Sequence, residues 1–199
     1  MGPMAADRIV RLGLLAIVAL AAAPVPAAES LPPEWVSESR AVGKSLMSQL
    51  KQRLGQAIAA GGPASAIDVC RIEAPAIAAS LSEESGANVR RTALRVRNTD
   101  NAPDAFEREV LESFVDRLAR GEPPASVDHW VERRVEGGVE RRYMKAIVTE
   151  PLCLTCHGSV LAPEVAAAIE RAYPRDQATG FAAGDLRGAL SVTWSPVTD

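Results

Sequence analysis

Apolar and polar positions along this chain change period several times, and each change predicts an element. Leu12 to Ala23 is an apolar run of Leu, Ala, Ile and Val with a single Gly. From Glu34 the period is helical. Val36, Val42, Leu46, Leu50, Leu54 and Ile58 fall near one stripe, with Lys, Arg and Gln between them. Gly61-Gly62-Pro63 ends that helix and opens the next, with Pro63 suited to the first helical position. The second helix places Ile67, Cys70, Ala74, Ile77, Ala78 and Leu81 on one face. Pro75 bends it or begins a separate helix there, and Gly86 closes it.

Asn88 to Arg97 alternates as a strand does, with Thr92, Leu94 and Val96 on one face and Arg91, Arg95 and Arg97 on the other. Asn98 to Pro103 is turn-rich. A helix carrying Phe106, Val110, Phe114 and Leu118 follows Pro103-Asp104 and stops at Gly121. Two strands, about Val127 to Val135 and Val139 to Thr149, flank Gly137-Gly138 as a hairpin. With those glycines as the turn, Val127 faces Val148, His129 faces Ala146 and Val131 faces Met144. All six share an inward, apolar side. Pro163 to Tyr173 is a short Ala-rich helix, and Ala189 to Trp194 a last strand. This order of elements predicts an α+β fold, a small antiparallel sheet covered by helices.

The first segment carries an address. Arg8 and Arg11 precede the apolar run, and Pro24-Val25-Pro26-Ala27-Ala28 follows it with small residues. The run is shorter than the ~20 residues that span a bilayer, so residues 1–28 read as a secretory signal cleaved after Ala27 or Ala28. The other reading is an uncleaved N-terminal anchor. Residues 29–199 then form a single domain, expected in the periplasm. The whole chain has 22 Lys and Arg against 25 Asp and Glu, a formal charge of −3. Removing Asp7, Arg8 and Arg11 with the signal makes it one unit more negative. No basic block stands out, so nucleic acid is not an expected partner, and nothing after residue 28 is apolar enough to cross a membrane.

Small exported proteins pair their cysteines, yet this chain has 3. Two lie in Cys153-Leu154-Thr155-Cys156-His157. In an exported chain this Cys-x-x-Cys-His spacing reads as a c-type haem attachment site. Both sulfurs reach the two haem vinyl groups from one turn of chain, and the adjoining imidazole binds iron. Three rivals are weaker. A redox-active Cys-x-x-Cys wants a βαβ context and a helix N-terminus, whereas this motif follows a hairpin strand and Pro151. A zinc site using Cys70, Cys153, Cys156 and His157 has enough ligands, but adjacent Cys156 and His157 converge poorly on one tetrahedral ion. A Cys153–Cys156 disulfide is the plainest reading. Iron has a second axial position, which Cys70, His129 or Met144 could fill, or which could stay open. Each has an ordinary alternative, as an inert core thiol, a hydrogen-bonded core histidine, or core filler.

The chain resembles a family of single-haem, Tll-type c-type cytochromes with a PAS-like sheet, found alone or as periplasmic sensor domains of histidine kinases. The resemblance rests on Asp68-Val69-Cys70 with Ala74-Pro75-Ala76-Ile77-Ala78, on Arg91-Thr92-Ala93-Leu94-Arg95-Val96-Arg97-Asn98, and on Asn101-Ala102-Pro103-Asp104. It continues in Cys153 to Gly158, in Tyr173-Pro174 with Asp176, in Gly180-Phe181, and in Gly184 to Val192. Phe181 stands where Tyr is expected. The resemblance implies one covalent haem c with His157 and the Cys70 thiolate as axial ligands. Because a thiolate favours iron(III) over iron(II), redox-linked loss of Cys70 is then expected. The implied role is a redox or gas sensor, or an electron carrier, working with a redox partner protein or a small gas ligand. Arg91, Arg95, Arg97 and Arg187 are candidate partners of the haem propionates. The alternative is a peroxidase-like haem enzyme with an open sixth position, in which His129 serves as acid–base group.

Overall fold

The computed structural model describes residues 1–2 and 31–197. The chain divides into two units, Met1–Leu31 and Pro32–Asp199. The signal segment expected over residues 1–28 lies outside the described residues beyond its first two.

Four antiparallel strands form one sheet in the order β1-β4-β3-β2, where β1 is Ala87–Thr92, β2 Asp128–Val135, β3 Gly138–Val148 and β4 Leu186–Val197. Helix α1 (Glu34–Gly61) and helix α3 (Ala74–Ser85) cover one face, and α4 (Ala105–Ala119) the other. This is the expected α+β, PAS-like arrangement. Trp35, Val36 and Leu46 of α1 pack with Leu81 of α3 on Val89, Tyr143, Leu190 and Val192. Helix α1 lies so close to β4 that a Cβ at Gly43 would sit 2.1 Å from Leu190 Cδ2. The C-terminal part of the same stripe, Leu50, Leu54 and Ile58, lines a cavity instead. On the opposite face Val110, Leu111 and Phe114 of α4 pack on Met144, Ala146 and Ala189.

The second helix starts later than its proline suggests. Residues 63–65 form a turn, and α2 spans Ala66–Asp68. Ser65 Oγ is the reason: it donates to Ala57 O (2.8 Å) and Gly62 O (2.7 Å), so this segment closes α1 rather than opening α2. Residues Val69–Glu73 then widen into a π turn, with Ala74 N donating to Val69 O, before α3 begins with Pro75 near its start. Proline has no N–H, and its ring would crowd the carbonyl four residues back. A widened turn accommodates that conflict, and Cys70 sits on it. Gly86 caps α3 at φ 76°, as the sequence predicts.

Strand β1 stops at Thr92, short of the predicted Arg97. Its partner explains why. At Gly188 a Cβ would lie 2.4 Å from Thr92 O, a backbone approach tighter than a side chain permits. Beyond it the chain leaves the sheet, and Val96 O accepts from Gln177 N at 2.9 Å. Arg97 is thereby turned inward, to 6% exposure, instead of lying on a strand face with Arg91 and Arg95.

The hairpin forms where predicted, with a different turn. Val135 pairs with Gly138, leaving Glu136-Gly137 as the turn with Gly137 at φ 92°. His129 therefore faces Met144, and Val131 faces Arg142. The displacement from the expected pairing is two residues, which equals the pleat period, so no side chain changes face. Met144 is fully buried against α4, as core. His129 does not point into the core: β2 is the sheet edge, and the His129 side chain is exposed, its ring 5.8 Å from that of Phe106.

Helix α4 opens with a reciprocal capping box. Asp104 Oδ1 accepts from Glu107 N at 2.7 Å, and Glu107 Oε2 from Asp104 N at 3.1 Å. Glu107 is only 1% exposed and also pairs with Arg90 at 2.8 Å, while Asp104 pairs with buried Arg142 at 2.6 Å. This network ties α4 to β1 and β3. Removing Glu107 opens the capping box and takes the carboxylate from half-buried Arg90, which keeps the carbonyls of Asp100 and Ala102, so Glu107→Ala is expected to cost about 1–3 kcal/mol. Urea denaturation followed by circular dichroism measures it.

Candidate cofactor site

At the end of the sheet where β1 and β3 stop and β4 begins lies a cavity of ≈ 160 Å³. Helix α1 walls it with Met47, Leu50, Leu54 and Ile58. Cys70 lines it from the π turn, and Cys153, Cys156 and His157 from a short segment after β3. That segment is a 3₁₀ turn, Pro151–Cys153, followed by α5, Leu154–His157. The four residues that the sequence singled out thus line one space, although Cys70 is remote from the motif in the chain. All three cysteines are free thiols. Among the described residues no group of three or more His, Cys, Asp or Glu is placed to hold a metal ion, so the four do not converge on one point as a tetrahedral zinc site requires. His129 and Met144 do not line the cavity.

The motif is held from below by loop 176–181. Phe181 N donates to His157 O and Gly180 N to Gly158 O, both at 2.9 Å. Gly158 itself needs the absence of a side chain, since a Cβ there would lie 2.6 Å from Leu154 O. Arg97 is the hub. Its guanidinium donates to Asp176 Oδ1 (3.1 Å) and Oδ2 (3.2 Å), to Cys156 O (2.7 Å) and to Ala178 O (3.1 Å). Asp176 Oδ1 in turn accepts from Ala178 N at 2.9 Å. Arg95 donates to the carbonyls of Gln177 and Thr179 and lies over the Phe181 ring, 4.2 Å from its centroid. Phe181, lacking the hydroxyl of Tyr, offers its face to this cation instead.

These contacts fix the chemistry of His157. Its Nδ1 lies 2.6 Å from Ala178 O. A carbonyl can only accept, so Nδ1 carries the proton and Nε2 carries the lone pair. Arg187 Nε donates to that Nε2 at 3.4 Å, which requires the same tautomer. Burial, with help from Arg187 and Arg97, pushes the His157 pKa down to about 3, so the ring is neutral and Nε2 is free to donate electrons to a metal. Burial also pushes the Cys156 thiol up, partly offset by Arg97. The sequence indicated the arginines. It gave no signal for Ala178, whose contribution is a backbone carbonyl.

A family model described as Tll0287-like matches residues 27–195. The crystal structure of the cyanobacterial heme-protein Tll0287 superposes with a TM-score of 0.58 at 25% sequence identity, over 85% of this chain and 99% of that one. No curated protein matches.

The Arg97 hub predicts a measurable coupling. Arg97→Ala and Asp176→Ala are each expected to destabilise the fold by about 3–5 kcal/mol. The double variant is expected to cost less than their sum, because neither buried charge is then left alone. A denaturant double-mutant cycle measures the difference.

Proposed function

The chain belongs to the Tll0287-like family, and from that premise we propose that it is an exported, periplasmic single-haem c-type protein that senses redox state or a small gas, or carries electrons. The observation that carries this reading is the meeting of Cys153, Cys156, His157 and Cys70 on one cavity. The residues present fit the group. Two free thiols with two residues between them stand beside an imidazole whose Nδ1 is already tied to a carbonyl. Apolar α1 side chains face them, as a porphyrin ring requires. Haem would supply a one-electron metal centre and a site for a small ligand.

In this reading Cys153 and Cys156 would hold haem through thioether bonds, and His157 Nε2 and Cys70 Sγ would hold its iron, Cys70 as a thiolate that favours iron(III). Cys70 would be the ligand lost on reduction, since a thiolate is held less firmly by iron(II). The π turn supports that role. Pro75 removes one helical donor just beyond Cys70, so this residue sits on the least regular stretch of its helix. His129, exposed on β2 and away from the cavity, gives no support to the peroxidase-like alternative. Export through the leader at residues 1–28 belongs to the same proposal, because such attachment is carried out on the exported side. Among the described residues no helix is long and apolar enough to cross a membrane.

Two measurements test this. The mature full-length product, exported through a competent maturation pathway, should weigh its polypeptide plus one haem. A mass equal to the polypeptide alone sinks the proposal. Cys70→Ala should alter the oxidised absorption and EPR spectra and raise the midpoint potential by on the order of 0.1 V or more, within the ~0.8 V that axial ligands span. If both stay at wild-type values, Cys70 is not a ligand.

A further inference from the structure

The arginines around the cavity are not equivalent once their partners are counted. Arg97 is spent on Asp176 and two carbonyls. Arg95 is held by the carbonyls of loop 176–181 and by Phe181, and does not line the cavity. Arg91 lines the cavity from β1 and makes no hydrogen bond or ion pair among the described residues. Arg187 donates to His157 Nε2 at 3.4 Å and to Arg95 O at 3.3 Å, with no carboxylate of its own.

The charges do not balance. Arg91, Arg97 and Arg187 bring three positive charges to this half-buried space, and Asp176 returns one negative charge. Lys51, at the opposite wall, is already paired with Glu150 at 2.6 Å. Two uncompensated guanidinium groups in a half-buried cavity favour a ligand with two carboxylates. A porphyrin bearing two propionates has that charge.

We propose that Arg91 and Arg187 are the two carboxylate anchors of this site, and that Arg187 stands on His157 Nε2 only until the metal takes that atom. This rests on the haem reading above. Arg91 is ready in the haem-free chain. Arg187 is released by ligation, because a nitrogen that donates its lone pair to iron can no longer accept from a guanidinium. Until then Arg187 keeps His157 in the ligating tautomer, with its ring held between Arg187 and the Ala178 carbonyl. Seating the metal and neutralising the second carboxylate are thereby one event.

The test uses the full chain matured with haem. Replacing a cation beside the ring stabilises iron(III) over iron(II). Arg91→Gln and Arg187→Gln should each shift that balance about tenfold, a fall of ~59 mV in midpoint potential for one electron. Each should also move the propionate bending vibration in the resonance Raman spectrum. Arg91→Lys and Arg187→Lys keep the charge and should recover most of the potential, which loss of packing alone does not predict. Potentials within a tenth of that fall for either Gln variant, with the Raman band unmoved, would overturn that arginine's assignment while leaving covalent haem in place. A mature chain lacking haem overturns the reading beneath it, and this inference with it.

Discussion

One buried guanidinium organises the functional end of this molecule. Arg97 reaches three segments that share no secondary structure: the chain leaving β1, the helical turn bearing Cys156, and loop 176–181. Burying such a charge is costly unless it is paired and hydrogen-bonded. Asp176 and the carbonyls of Cys156 and Ala178 match it, and each acceptor is thereby fixed in place. The Ala178 carbonyl then orients His157. The orientation of His157 thus depends on a residue remote from it in the chain.

Much of this architecture was legible in the pattern of side chains. The α1 stripe, the Gly86 cap, the α4 helix and the hairpin all lie where periodicity and glycine place them. The departures share a cause, which is tertiary demand overriding local preference. Arg95 and Arg97 alternate with Leu94 and Val96 as strand residues do, yet the close approach at Gly188 ends the strand at Thr92. Pro63 has the right neighbours to begin a helix, but Ser65 uses its hydroxyl to close the previous one. Gly137-Gly138 reads as the turn itself, yet the turn is Glu136-Gly137, with Gly138 paired to Val135. His129 was read from strand parity alone, which tells the face of a sheet and says nothing about whether a helix covers that part of it.

The site shows the same division. Cys153, Cys156 and His157 are contiguous, so their meeting needs no fold. Cys70 joins them only because the α2–α3 segment and the motif line the same cavity, and no spacing in the chain predicts that. The arginines were visible as residues but not as roles. Arg91, Arg95 and Arg97 look alike at alternate positions. Their partners, several of them backbone carbonyls of distant residues, separate a side chain with no hydrogen bond among the described residues from two whose Nε and Nη2 are engaged.

Strand β4 follows every other strand in the chain, yet it lies inside the sheet, between β1 and β3. Ala87 pairs with Trp194, and Thr92 with Ala189. Contacts of such sequence separation are slow to form, since a long loop must close before they repay its entropy. A chain emerging N-terminus first therefore presents its thiol pair before the strand that completes the sheet. The interval between those two events is a window in which chemistry on the sulfurs can precede closure of the sheet beside them.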